Sequence, residues 1–111
     1  MTVAEIAEKL QGKIVVDNEK AEINFAYTSD LLSDVIGHAG DESVLITIQN
    51  HLNTIAVASL AGIEALVVCH NREIPLDMLQ AAGRESVAIV TTGLSQFEAS
   101  LALAELKPSR K

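Results

Sequence analysis

The sequence predicts an α/β fold: a single layered domain with a mainly parallel sheet flanked by helices, plus an N-terminal hairpin at one sheet edge. Three observations predict it. From residue 43 onward, apolar strand-like runs alternate with helical stripes through short connections, the order produced by right-handed crossovers. The runs at 44–48, 65–69 and 87–90 are almost unbroken aliphatic segments, as suits strands covered on both faces. The earlier pair, 13–16 and 22–27, is joined by only a few residues, so an antiparallel hairpin is expected.

Thr2 with Glu5 forms a capping box, and Val3, Ile6, Ala7 and Leu10 recur at helical spacing before Gly12, so a first helix is expected over about 3–11. Lys13 to Val16 is a short β-branched run, and Asp17-Asn18-Glu19-Lys20 reads as a turn. Ile23, Phe25 and Tyr27 then alternate with Glu22, Asn24 and Ala26, a strand with one wet face. Thr28-Ser29-Asp30 offers cap side chains to a short helix carrying Leu31, Leu32, Val35 and Ile36 and ended by Gly37 or Gly40. After the strand at 44–48, the stripe Leu52, Ile55, Ala56, Ser59 and Leu60 predicts a helix to Ala61, with Gly62 beyond it as a C-cap. Pro75 suits the first turn of a helix through Leu76, Met78, Leu79 and Ala82. Ser95 with Glu98 is a second capping box, opening a closing helix through Phe97, Leu101, Ala104 and Leu106 that stops before Pro108.

The 111 residues, 49% of them hydrophobic, are enough for one core, expected as a domain over 1–107 with a solvated charged tail at 108–111. Aromatics are only 3% and Trp is absent, so the core must be aliphatic. Fifteen acidic residues against eight basic ones give a net charge of −7, which argues against a nucleic-acid partner, since that needs clustered Lys and Arg. No secretory pattern and no membrane-length apolar run occurs, so a cytoplasmic protein without a membrane partner is expected. A lone cysteine forms no internal disulfide, and by itself holds no iron–sulfur cluster.

Each of the three aliphatic runs stops in a polar knot, and a parallel sheet brings those knots to one rim, where α/β proteins bind ligands. The first knot is the richest. Gln49 and Asn50 carry amides, His51 a titratable ring, and Asn53 and Thr54 lie on an opening helical turn whose free N–H groups favour anions; capping by Asn50 explains the pattern equally. Thr91, Thr92 and Ser95 present hydroxyls to an anion or serve only the helix start, without the lysine-bearing pattern of a triphosphate loop. Asp30 and Asp34, with Ser33 between them, either pair for a cation or for acid–base work, or serve as cap and first-turn acid of the helix. Cys69 beside His70 reads as a small buried hydrophobe, because neighbours in a strand face opposite ways. The three histidines lack metal-ligand spacing, so no metal is expected, nor any cofactor or catalytic set.

Three stretches carry a resemblance: Tyr27-Thr28-Ser29-Asp30-Leu31-Leu32-Ser33-Asp34-Val35, Leu45 through Ala58, and Thr91 through Ser100. They are similar to the small stand-alone DRTGG-domain proteins. The resemblance implies a fold like the amino-terminal domain of HPr kinase/phosphorylase and a non-enzymatic, regulatory role in ligand sensing or assembly. Some stand-alone relatives are linked by name to iron–sulfur hydrogenases, which implies a redox-enzyme partner. The Asp-Arg-Thr-Gly-Gly string itself is absent here, so no role tied to it carries over.

The expected function is a regulatory module binding a nucleotide or small anion on a rim of Asp30, Ser33, Asp34, Thr47, Gln49, Asn50, His51, Asn53, Thr54, Thr91, Thr92 and Ser95. The alternative is an accessory protein that forms homo-oligomers or docks on a redox or metabolic enzyme, such as a hydrogenase complex, through an apolar face such as Ile23, Phe25 and Tyr27.

Overall fold

A computed structural model describes all 111 residues. The elements run α1 (Val3–Lys9), β1 (Lys13–Val16), β2 (Phe25–Thr28), α2 (Leu32–His38), β3 (Ser43–Thr47), α3 (Leu52–Ala61), β4 (Ile63–Val68), α4 (Leu76–Glu85), β5 (Ala88–Thr91), α5 (Gln96–Ala102) and β6 (Lys107–Pro108). They build one six-stranded sheet in the order β1-β5-β4-β3-β2-β6. All neighbouring strands are parallel except β1 and β5. The mainly parallel, helix-flanked sheet expected from the aliphatic runs is the architecture found.

Helices cover both faces. Val35, Ile55, Met78 and Ala82 of α2, α3 and α4 pack with Leu45, Leu66, Val68 and Ile89 on one side. Val3, Ile6 and Ala7 of α1 and Ala99 of α5, with Leu103 just beyond it, pack with Val44, Ile46, Val67 and Val90 on the other. Successive strand residues thus feed opposite cores, so every position of β3 is buried and its sequence shows no alternation.

The edge hairpin is not formed. β1 pairs antiparallel with β5, and β2 pairs parallel with β3, so the two run on opposite flanks of the sheet. A short connection allows a hairpin without requiring one. Here Ala21 and Ile23 are pulled into the α1/α5 core, the Ile23 N–H donates to the Met1 carbonyl at 2.9 Å, and the chain passes under the sheet instead of turning back. The strand is shorter than expected for the same reason. Ile23 faces the α1/α5 core while Tyr27 packs on the opposite side, so Ile23, Phe25 and Tyr27 do not form one docking face; Ile23 is fully buried.

The charged terminus is also ordered. β6 adds to the outer edge of β2, the Ser109 N–H donates to the Ala26 carbonyl at 2.8 Å, and Ser109 is buried. Its hydroxyl accepts from the Gly40 N–H at 2.9 Å and bonds the Ser43 hydroxyl, which itself donates to the Gly40 carbonyl at 2.7 Å. Pro108, read as a helix stop, does not end α5, which stops at Ala102 short of Ala104 and Leu106; it occupies the outermost strand, where a missing N–H costs nothing.

Candidate functional site

The carboxyl ends of β2, β3, β4 and β5 converge on one rim, as parallel order dictates. The loops after β4 and β5 are bonded to each other: the His70 N–H donates to the Leu94 carbonyl at 3.0 Å and the Asn71 N–H to the Thr92 carbonyl at 2.9 Å. A Cβ on Gly93 would stand 2.9 Å from Asn71 Nδ2, so the absence of a side chain there permits the approach. His70 and Asn71 both adopt left-handed backbone conformations, φ 61° and 52°, an unusual pair for residues with side chains.

Asp30 is the hub of the first knot. Its Oδ1 accepts from Thr47 Oγ1 at 3.0 Å, the Ile48 N–H at 2.9 Å and Gln96 Nε2 at 2.9 Å, and its backbone carbonyl accepts from Gln49 Nε2 at 2.7 Å. Thr47 Oγ1 in turn accepts from the Gln49 N–H at 3.1 Å. The end of β2, the end of β3 and the first turn of α5 are therefore tied at one carboxylate. Asp30 does not cap α2, whose N-cap is Leu31 without a side-chain bond. Gln96 was absent from the expected rim. Its only sequence signal is its place one residue after the Ser95 cap, and nothing local reveals a partner 66 residues away.

Asp34 points elsewhere. Its Oδ2 accepts from the Tyr27 hydroxyl at 2.7 Å, and its Oδ1 lies 3.0 Å from His38 Nδ1 one turn along α2. The Tyr27 bond, with help from Ser29 and His38, holds the Asp34 carboxyl below its ordinary value, and the same carboxylate pushes the Tyr27 phenol up. Asp30 and Asp34 are thus not a carboxylate pair.

The other expected rim residues divide in two. Thr92 is buried and donates to the Leu10 carbonyl at 2.9 Å; Ser95 forms the capping box with Glu98; Asn50 Nδ2 donates to the Glu73 carbonyl at 2.8 Å instead of capping α3. These are engaged within the chain. Ser33, His51 and Asn53 are exposed, Thr91 is half-buried, and none of their side chains is hydrogen-bonded. Thr54 is fully buried with its Oγ1 unpartnered.

Cys69 is fully buried, and burial raises its thiol to about 11, with the Asp30 charge adding to the effect. A thiol held protonated is a poor nucleophile. No three His, Cys, Asp or Glu side chains gather as metal ligands, and no helix is long and apolar enough to cross a membrane.

No protein-family model matches the chain, and no curated protein does. Among solved structures it is similar to the CBS and DRTGG domains of the regulatory region of Clostridium perfringens pyrophosphatase, complexed with the activator diadenosine tetraphosphate. The TM-score is 0.72 at 14% identity, across 96% of this chain and 47% of that one. The chain spans about half the length of that structure, and the likeness establishes a fold of the kind found in a DRTGG- and CBS-containing regulatory region.

Proposed function

We propose that this chain is a non-enzymatic regulatory module that binds a nucleotide or small anion at the carboxyl rim of its sheet. The observation that carries the reading is the whole-chain fold likeness to a regulatory region whose activator is a dinucleotide polyphosphate. The rim supports it in kind. Its best-formed feature, the Asp30 cluster, holds strands and helix in register, the work of a scaffold presenting a site rather than of an acid–base pair.

Thermal-shift measurements with ATP, AMP, diadenosine tetraphosphate, acetyl phosphate and inorganic phosphate test the reading. A ligand at one hundred times its Kd adds about 2.7 kcal/mol, a shift of about ten degrees for a domain of this size. No shift with any of the five overturns the proposal.

A second reading, an accessory protein that self-associates or docks on a redox or metabolic enzyme, is favoured by Phe97 and Leu101. They lie one turn apart on α5 and are 72% and 59% exposed. Light scattering of Phe97→Ser against the parent chain tests self-association. An unchanged mass across concentrations for both removes it.

A further inference from the structure

Adjacent parallel strands bind ligands best where their outgoing connections leave on opposite faces of the sheet. β4 and β5 are such a pair here. β4 leads to α4 on the face shared with α2 and α3, whereas β5 leads to α5 on the other face. The loops directly between their ends are zipped together, which displaces the open space sideways, to the α4 face beside β1.

A cleft of about 360 Å³ lies there, of the size that holds a small metabolite. Lys13 and Thr91 form its strand wall; they are direct cross-strand partners, so their side chains share one face. Asn71 and Arg72 come from the strained loop after β4. None of these four side chains has a hydrogen-bond or ion-pair partner within the chain. That sets the cleft apart from the Asp30 cluster, whose polar groups satisfy one another. Two unpaired cations facing one cleft are also notable in a protein of net charge −7. Val15, Ile74 and Leu79 supply an apolar wall. The carboxylate of Glu73 adds an acceptor for a hydroxyl or amino group.

We infer that this cleft is the ligand site, and that it takes a phosphorylated compound with an apolar or heterocyclic body, a nucleotide in chemical class. Lys13 and Arg72 hold the phosphate, Asn71 and Thr91 orient it, and the body lies against Val15 and Leu79. Position is secured by the backbone: a Cβ at Gly12 would stand 2.7 Å from the Thr91 carbonyl, so the entry to β1 sits tight on the end of β5 and carries Lys13 to the cleft. The inference rests on the ligand-binding reading above and moves the site away from the Gln49 to Thr54 knot.

Amide NMR titration of the full chain with ATP, adenosine and inorganic phosphate tests it, with Lys13→Gln, Arg72→Gln and, as a control for bulk charge, Lys20→Gln. ATP is expected to move the resonances of Lys13, Asn71 to Ile74 and Thr91. Each cleft variant is expected to weaken ATP about tenfold, as loss of a charge-assisted bond does, with Lys20→Gln close to the parent chain. All three side chains are exposed and unpaired, so melting temperatures should match. ATP binding that shifts residues 49–54 and ignores Lys13→Gln and Arg72→Gln overturns the inference and leaves the ligand-binding reading standing. Adenosine binding as tightly as ATP overturns the phosphate role. A parent chain that binds neither ATP nor phosphate overturns the site, and one that also ignores the wider panel overturns the reading beneath it.

Discussion

A single oxygen of Asp30 gathers donors from a strand end, a loop backbone and a distant helix. Asp30→Ala strands the Thr47 hydroxyl and the Ile48 N–H, and should cost about 2–4 kcal/mol in urea denaturation with little change in slope. Asp34 works at the same scale but through pH. Its carboxyl is lowered chiefly by the Tyr27 hydroxyl bond, so its stabilisation is present above the ordinary carboxyl range and lost as pH falls through the lowered value. The raised Tyr27 phenol has the opposite sense: its contribution is complete below about pH 10 and lost as pH rises through the folded value. Tyr27 is the only tyrosine, so ultraviolet absorbance reads it directly. The parent chain should titrate above the ordinary phenol value, and Asp34→Asn should bring it down. Cys69, the only cysteine, should resist a disulfide reagent at pH 8 in the folded protein and react at once in denaturant; prompt reaction of native protein would contradict its burial.

At the scale of elements, the helix ends divide by how local their chemistry is. Thr2 with Glu5 and Ser95 with Glu98 form the capping boxes expected of them, because all the partners lie within one turn. Gly62 ends α3 at φ 78°, and a side chain there would collide with Asp41. Gly62→Ala should therefore cost about 1–2 kcal/mol, visible as a lowered melting temperature. Asp30 carried the same local signal as a cap, an acid before an apolar helix, yet three donors from the end of β3, the loop after it and α5 outcompete the helix N–H groups. Sequence spacing contains no account of that competition. The hairpin failed on similar grounds. Loop length limits which strands can pair, but partner choice was decided by burial of Ala21 and Ile23. The rim itself was legible, since parallel order follows from the aliphatic runs. The cleft was not, because Lys13 and Arg72 lie far apart in sequence and meet only through the β1–β5 pairing.

For the whole molecule, the core on the α1/α5 face of the sheet joins the first helix to the last, and β6 then seals the outer edge of β2. Ser109 is the clearest case. The Ser43 hydroxyl donates to the Gly40 carbonyl, so Ser109 donates to Ser43 and accepts from Gly40, and Ser109→Ala leaves the Gly40 N–H without its acceptor. That substitution should cost about 1–3 kcal/mol by calorimetry or chemical denaturation, far more than a change in a free tail would. The pairing of β6 with β2 also has a consequence in time. Ala26 waits about 80 residues of synthesis for Ser109, and a contact across so long a stretch forms late. A nascent chain therefore carries the outer edge of β2 bare, open to other chains, until β6 emerges from the ribosome.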